Sequence, residues 1–501
     1  MTSNNFPSII PVPKRLQMKP GYLPLNDIVV TLGNCNPQEV NSWLAYLRKQ
    51  FTRLGIGLRA DLLSARTEPV FTLRQNGCIF LKLAITDSGN TEEEQYRLEV
   101  TQQGISLESS SAAGIVHGLQ TLLQLVWQAY QQESKALPCL DITDTPQYEW
   151  RGLHLDVSRH FFSVEEVKTC LDWMALLKLN RFHWHLTDDQ GFRIESKKFP
   201  LLTDVGAWRK ESDGSVYGGF YTRDEIKEVV RYASDLAIEI IPEIDIPGHS
   251  QAILSAYPEF ACFPQKFEPL SCWGISDNIL CAGKPEVTAF LKELFTETAE
   301  LFPGRWFHLG GDEAPKENWK KCPHCQSRIK AENLANEEEL QSRLVLELVE
   351  HLKKSGKTVV GWDEILDGNI DQEPIVMVWR GDGKDAARKA SRQGNRYILS
   401  PNSITYFDWR QSDKQGEPGA FGVTTLEMVY SFNPSDYAFG HPELLLGAQA
   451  NVWTEQMPDF ARVKYMVLPR AWALSETLWC STEQKDWSSF QTRLKTLGEM
   501  L

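Results

Sequence analysis

The chain has 501 residues, 42% of them hydrophobic and 24% charged, an ordinary globular composition at a length that implies two or three domains. Its net charge of −14 argues against nucleic acid or an anionic bilayer as the main partner, and it has no run of 18 apolar residues that would insert into a membrane. The start, Met-Thr-Ser-Asn-Asn-Phe-Pro, has neither the basic nor the apolar region of a secretory leader, so a cytoplasmic location is expected, with the ten cysteines mostly reduced.

Residues 1–147 read as one small α+β domain. Strand-like pieces at 28–32, 78–84 and 96–100 are separated by Gly, Asn and Asp turns, and 112–132 carries apolar residues at helical spacing, Ile115, Leu119, Leu122 and Leu125. The stretch Asp141-Ile-Thr-Asp-Thr-Pro146 reads as a turn-rich junction. From 148 to 501 the rhythm changes. Apolar runs of about five residues alternate with helical patterns. The runs are 153–157, 181–186, 237–244, 306–309, 358–361, 375–378, 397–399 and 444–448, and the helical patterns include 164–177, 223–236, 287–301, 337–354, 384–393 and 460–478. Eight such runs predict an α/β fold, a (β/α)₈ TIM barrel as the catalytic domain, preceded by the α+β domain. The gap from 401 to 443 shows no clear helix, and a connection of that length is usually functional or holds small elements of its own.

In such a barrel the reacting groups follow the strand ends at one face. Here strand one is followed by Arg159 and His160, strand two by Asp188 and Asp189, and strand three by Glu243, Asp245 and His249. Strand four ends in Trp306-Phe-His-Leu-Gly-Gly-Asp-Glu-Ala-Pro315, strand five in Trp362-Asp363-Glu364, and strand six in Trp379-Arg380. Tyr406, Asp408 and Trp409 follow strand seven; Trp453 and Glu455 follow strand eight. Two adjacent carboxylates, Asp312 and Glu313, cannot both ionise freely, so their pKa values should separate into a stabilising anion and a proton donor, the pairing that glycosidic cleavage needs. Trp362, Trp379 and Trp453 would form flat walls for the apolar faces of a sugar and exclude water, which raises the pKa of the protonated member.

Other readings compete. Asp312 and Glu313 could simply open a helix. Asp245, Asp312 and Asp363 could hold Mg²⁺ for enolate chemistry, although no Lys ends strand two or six to serve as base. A sugar-binding protein would keep the walls but have no use for the acid pair. His183 and His185 share one face of strand two and read as hydrogen-bonded barrel-interior groups rather than a metal pair. Cys322-Pro-His-Cys325 suggests a metal site, but zinc needs about four ligands and no second pair follows at the usual spacing, so it reads as a turn with two free thiols.

Eight motifs then fall in one order: Arg151-Gly-Leu-His-Leu-Asp-Val-Ser-Arg159-His-Phe-Phe, His183-Trp-His-Leu-Thr-Asp188-Asp189, Pro242-Glu-Ile-Asp245-Ile-Pro-Gly-His249, His308-Leu-Gly-Gly-Asp312-Glu313, Gly361-Trp362-Asp-Glu-Ile, Val378-Trp379-Arg-Gly, Tyr406-Phe-Asp408 and Ala450-Asn-Val-Trp453-Thr-Glu455. Together they resemble the family 20 glycoside hydrolases, the β-N-acetylhexosaminidases, over about residues 148–480. The resemblance implies exo action on a terminal β-linked GlcNAc or GalNAc, with retention, no cofactor and no catalytic metal, so activity should survive EDTA. The attacking atom would be the sugar's own 2-acetamido oxygen, and the intermediate an oxazolinium ion. It implies that Glu313 is the acid and then the base, that Asp312 orients the acetamido N–H and steadies the cation, and that Tyr406 donates to the acetamido oxygen. Trp362, Trp379 and Trp453 would enclose the acetamido methyl and ring, Arg159 and Glu455 would hold the 3- and 4-hydroxyls, and Asp408 would hold the 4- or 6-hydroxyl. Asp188, Asp245 and His249 would position the acid pair. The remaining wall aromatic is left between Trp409 and Phe432. Epimer preference, linkage and oligomeric state are not legible.

Overall fold

The apolar runs after residue 148 close on themselves. In the computed structural model, which describes residues 6–63, 78–86, 94–133 and 135–501, eight parallel strands form one closed barrel in chain order. They are β1 (Trp150–Asp156), β2 (Arg181–His185), β3 (Glu239–Ile246), β4 (Trp306–Gly310), β5 (Thr358–Trp362), β6 (Ile375–Val378), β7 (Tyr397–Leu399) and β8 (Leu445–Ala450). Pairing runs around the whole ring, with Gly152 opposite Arg181, Glu243 opposite His308 and Ala448 opposite Arg151, and the register shifts between β3 and β4 and between β7 and β8. Both faces of each strand are covered, which is why the strands read as unbroken apolar runs rather than alternating ones.

The helices between them start where the sequence offers caps. Ser163 with Glu166 and Thr222 with Glu225 form reciprocal capping boxes on Val164–Leu176 and Arg223–Asp235, satisfying amides that a helix start leaves free. The pattern at 460–478 is two helices, Phe460–Val467 and Arg470–Trp479, because Pro469 cannot continue the first. The 401–443 gap holds short pieces, among them Asn402–Thr405, Ala420–Val423 and Leu426–Ser431.

The N-terminal domain is a seven-stranded mixed sheet in the order 15–24, 136–144, 96–101, 104–109, 79–85, 28–32, 60–62. The stretch read as a turn-rich junction is strand as far as Asp144, paired antiparallel with Arg15–Pro24. The sequence reading also missed Pro37–Arg53, a helix capped by Asn36. Helix Ala112–Gln131 is buried on nearly every side because it lies between its own sheet and the barrel helix Val164–Leu176. Among the described residues no helix is long and apolar enough to cross a membrane.

Polar contacts lock the domains together. Lys178 Nζ donates to Asp144 at 3.0 Å and to the Tyr96 hydroxyl at 2.9 Å, and Trp479 Nε1 donates to the other Asp144 oxygen at 2.9 Å. Lys178 and Asp144 are both fully buried. Removing one partner of such a pair strands the other charge. Lys178→Met is therefore expected to cost about 3 kcal/mol in urea unfolding while leaving kcat/KM of the folded protein unchanged; an unaltered unfolding midpoint would show that the pair carries no stability.

Candidate active site

Seven of the eight strand ends, with the loop after β7, meet at one mouth. A cavity of about 350 Å³ opens there, lined by Arg159, Asp188, Asp245, His249, Asp312, Glu313, Trp379, Asn402, Tyr406, Asp408, Trp409, Phe421, Trp453 and Glu455. A larger cleft of about 800 Å³ lies at the strand starts against the N-terminal domain, around Glu149, Arg181, Glu239 and Phe302. The starting end of a barrel serves stability rather than chemistry, and the convergent carboxylates are in the smaller cavity.

The acid pair is placed by backbone that only glycine can supply. β4 ends in Gly310 (φ +75°) and Gly311 (φ +103°), and a Cβ at Gly310 would lie 1.6 Å from Asp245 Oδ1. Gly311 N–H instead donates to that oxygen at 3.2 Å. Glu313 follows in the left-handed region (φ +44°), a strained setting for a non-glycine residue of the kind found at functional sites. The turn separates the two carboxylates. Asp312 points into the cavity and is buried, whereas Glu313 reaches the rim with 36% of its side chain exposed.

Charges alternate behind them. Glu243, fully buried in the barrel interior, lies 2.9 Å from His308 Nδ1 and accepts from Trp362 Nε1 at 2.9 Å and from His185 Nδ1. Burial opposes its charge, but His185, His308 and His183 hold it well below the usual carboxylate range. His185 passes on to Asp188 at 2.7 Å. Burial works against the imidazolium, yet Glu243 and Asp188 raise its pKa to about 10. Asp188 in turn meets Arg159 Nη2 at 3.0 Å and His249 Nδ1 at 3.1 Å. His249 Nε2 faces both acids, 3.7 Å from Asp312 and 3.6 Å from Glu313. Against burial, Asp188, Asp312 and Glu313 keep His249 well above 6.5, so it is a cation. His183 and His185 are thus interior hydrogen-bonded groups, as the sequence suggested.

Asp312 carries the resolved shift. Burial pushes it up to about 6; His249 pulls it down, while Glu243 and Glu313 push it further up. Asp245 is raised well above its ordinary value by burial and then by Asp312. The two titrate as a pair in which Asp245 holds the proton. The sequence reading had assigned the anion to Asp312 and the raised pKa to its neighbour. In the structure the rim position goes to Glu313 and the buried one to Asp312.

The walls differ from the expectation in three places. Trp379 is fixed by its amide and indole N–H, which donate to Asp363 and Glu364, both at 2.9 Å, and it stacks 6.2 Å from Tyr406. Trp453 lies under the Arg159 guanidinium at 5.0 Å. Trp362, expected beside them, is fully buried one layer deeper, 5.9 Å from Trp453, because its indole is held by Glu243. Phe432 packs on Tyr437 in the core and leaves the wall to Trp409. The sequence reading missed Phe421, 88% exposed at the mouth on the short strand Ala420–Val423, which is too short for a periodic pattern to mark it. It also missed Asp156 and Gln190, which hold Arg159 at 3.5 and 3.0 Å; Asp189, expected at the end of strand two, accepts from the amides of Gln251 and Ser276. Glu364 lies close enough to Asp312 that burial and that neighbour push its pKa to about 8.

Several buried polar atoms facing this cavity have no hydrogen-bond partner: Arg159 Nη1, His249 Nε2, Asp312 Oδ1 and Asp408 Oδ1. A polyhydroxylated or amide ligand in the cavity would supply the missing partners. Asp408 and Glu455 lie near Arg159 at one end, and burial followed by Glu455 raises Asp408 well above its ordinary value. Asp363 is engaged by Arg380 and by the Trp379 amide, so it does not join Asp245 and Asp312 as a third magnesium ligand.

A closed parallel barrel with an acid pair just after its fourth strand and aromatic walls at the same mouth fits a glycoside hydrolase. The chain belongs to glycosyl hydrolase family 20: the model of that family's catalytic domain matches residues 148–482, and its domain 2 matches residues 6–145. It is 43% identical to a beta-hexosaminidase of Porphyromonas gingivalis over 80% of this chain, spanning 53% of that protein's length. It is 38% identical to one of Akkermansia muciniphila over 86% of this chain and 87% of the other. Among solved structures, a GH20 exo beta-N-acetylglucosaminidase of Vibrio harveyi in complex with N-acetylglucosamine superposes with a TM-score of 0.85 at 30% identity, covering 98% of this chain and 76% of that one.

A carboxylate that opposes a developing cation has to be ionised, and we propose Asp312 for that part. Because its pKa is raised to about 6, protonation removes the charge as pH falls through that value. We expect kcat/KM to drop towards tenfold per pH unit below about 6; a profile flat to pH 4.5 would contradict this placement of the charge.

Proposed function

We propose that this chain removes terminal β-linked N-acetylhexosamine from glycans or glycoconjugates, acting at the chain end, with retention and through the substrate's own acetamido group. The supporting observation is the set of unpaired buried atoms around a small, dead-ended cavity walled by Trp379, Tyr406 and Trp453. A space of about 350 Å³ is at the small end for ligand sites and suits one sugar rather than a chain.

In this reading the acetamido group lies between Asp312 and Tyr406. Asp312 accepts from its N–H, which turns the carbonyl oxygen towards the anomeric carbon, and the Tyr406 hydroxyl donates to that oxygen and fixes it for attack. As the bond from the anomeric carbon to the leaving oxygen breaks and the ring gains oxocarbenium character, the buried carboxylate faces the positive charge in a medium too poor in water to screen it. Glu313, at the rim, is where a leaving oxygen exits and water enters, so it protonates the first and deprotonates the second. Arg159, Asp408 and Glu455 take the far hydroxyls at the closed end through charge-assisted hydrogen bonds. Trp362 supports Trp453 from beneath and has no direct contact with the sugar.

Aryl β-glycosides with a 2-acetamido group should be hydrolysed at least ~10³-fold faster than the matching 2-hydroxy glucosides, since the nucleophile is part of the substrate. Comparable rates would overturn the mechanism. Glu313→Gln should lower turnover of substrates with poor leaving groups by about 10²–10⁴ with KM little changed; near-normal turnover would remove Glu313 from the acid role.

A further inference from the structure

The hydrolase reading leaves one cluster of side chains unused. Cys262, Cys281, Cys322 and Cys325 are all buried, with their sulfur atoms all within 4.8 Å of one another. Cys281 Sγ is 3.6 Å from both Cys322 and Cys325, and Cys262 is 3.8 Å from Cys325. Cys322-Pro-His-Cys325 is therefore not an isolated turn. Its two partners come from upstream, on the long excursion after β3.

Each half of the cluster is built for its place. Ala261 and Leu280 form an antiparallel bridge, and the Cys281 amide donates to Phe260 O at 2.9 Å, so Cys262 and Cys281 are held side by side. Cys322 sits at the N-cap of helix Pro323–Ala331 and Cys325 in its first turn. The two halves meet closely: a Cβ on Gly283 would lie 2.2 Å from the Cys325 amide nitrogen. Trp319, fully buried, donates its indole N–H to Leu280 O at 3.0 Å and ties the β4 side to the β3 side.

The spacing identifies the occupant. A disulfide brings two sulfurs to about 2.0 Å, and no pair here is near that. Sulfurs bound to one zinc ion at about 2.3 Å in a tetrahedron are separated by about 3.8 Å. Iron–sulfur clusters divide the four thiolates over two or four irons and spread the sulfurs further apart, while calcium and magnesium take oxygen ligands. We propose that the four cysteines bind a single zinc ion as tetrathiolate ligands.

Four protein ligands leave no open position, so the ion is structural and does not touch substrate. It joins the excursion after β3, which begins with His249, to the segment after β4, which begins with Asp312 and Glu313. The clip lies behind the loops that carry the acid pair and its cationic neighbour. A buried tetrathiolate ion exchanges slowly, so brief EDTA treatment does not test for it.

The test is metal analysis of the full chain, expressed with zinc, purified without chelating resin and dialysed, together with intact-mass measurement under non-reducing conditions. About one zinc per chain is expected, released when a mercurial titrates the thiols, and cobalt substitution should give the intense visible bands of a tetrahedral cobalt thiolate. The double substitution Cys322→Ser with Cys325→Ser should bring zinc below about 0.2 per chain and lower Tm, while Cys170→Ser, at a buried cysteine outside the cluster, keeps it near one. A wild-type chain without zinc, with iron in its place, or with a mass lowered by disulfide formation among these cysteines overturns the proposal, whether or not the double variant folds.

Discussion

A carboxylate has to be kept out of water beside a second carboxylate, and the rest of the site follows from that requirement. An isolated buried ion costs several kcal/mol. The barrel meets the cost with charges of alternating sign, from Glu243 in its interior to His185, then Asp188, then Arg159 and His249, and finally the acid pair. Against the cost of burial, Glu243, His185, Asp188 and His249 hold their charges because their neighbours carry the opposite sign. This ladder can reach the substrate only because β3 and β4 approach so closely that residue 310 has no room for a side chain.

The same ladder explains the division of labour at the mouth. Charges that pair among themselves leave a few atoms unpaired on the cavity side, and these are the atoms available to a sugar. The aromatic residues are held by the same network, Trp379 in the wall by Glu364 and Asp363 and Trp362 beneath it by Glu243, so the shape of the pocket and its electrostatics are not independent. A substitution in the second layer should therefore act on substrate orientation as well as on charge.

Much of this was legible in the sequence, for physical reasons. Parallel strands covered on both faces leave continuous apolar runs, and a barrel puts its chemistry after them, so the positions of Asp312, Glu313, His249, Arg159 and Trp453 followed from spacing alone. What escaped depends on depth and on distant segments. Whether an indole after a strand lines the cavity or sits beneath it is decided by its hydrogen-bond partner, and for Trp362 that partner is more than a hundred residues away. Phe421 lies on a strand of four residues, too short to show a period. The thiol cluster joins positions 262, 281, 322 and 325, a spacing set by the meeting of two excursions rather than by any local motif. The first domain was read least completely, because short strands of a mixed sheet, such as Gly104–Ser109, leave weak patterns.

The central claim is that the attacking atom belongs to the substrate and that the protein positions and stabilises it. The most direct measurement is the rate across aryl β-glycosides whose acetamido methyl carries zero, one, two or three fluorines, with the leaving group held constant. Fluorine withdraws electrons from the carbonyl oxygen and barely changes its size, so the account predicts that kcat falls steeply with each substitution. Rates that stay level across the series would mean that the oxygen takes no part in the displacement, and the account would be wrong.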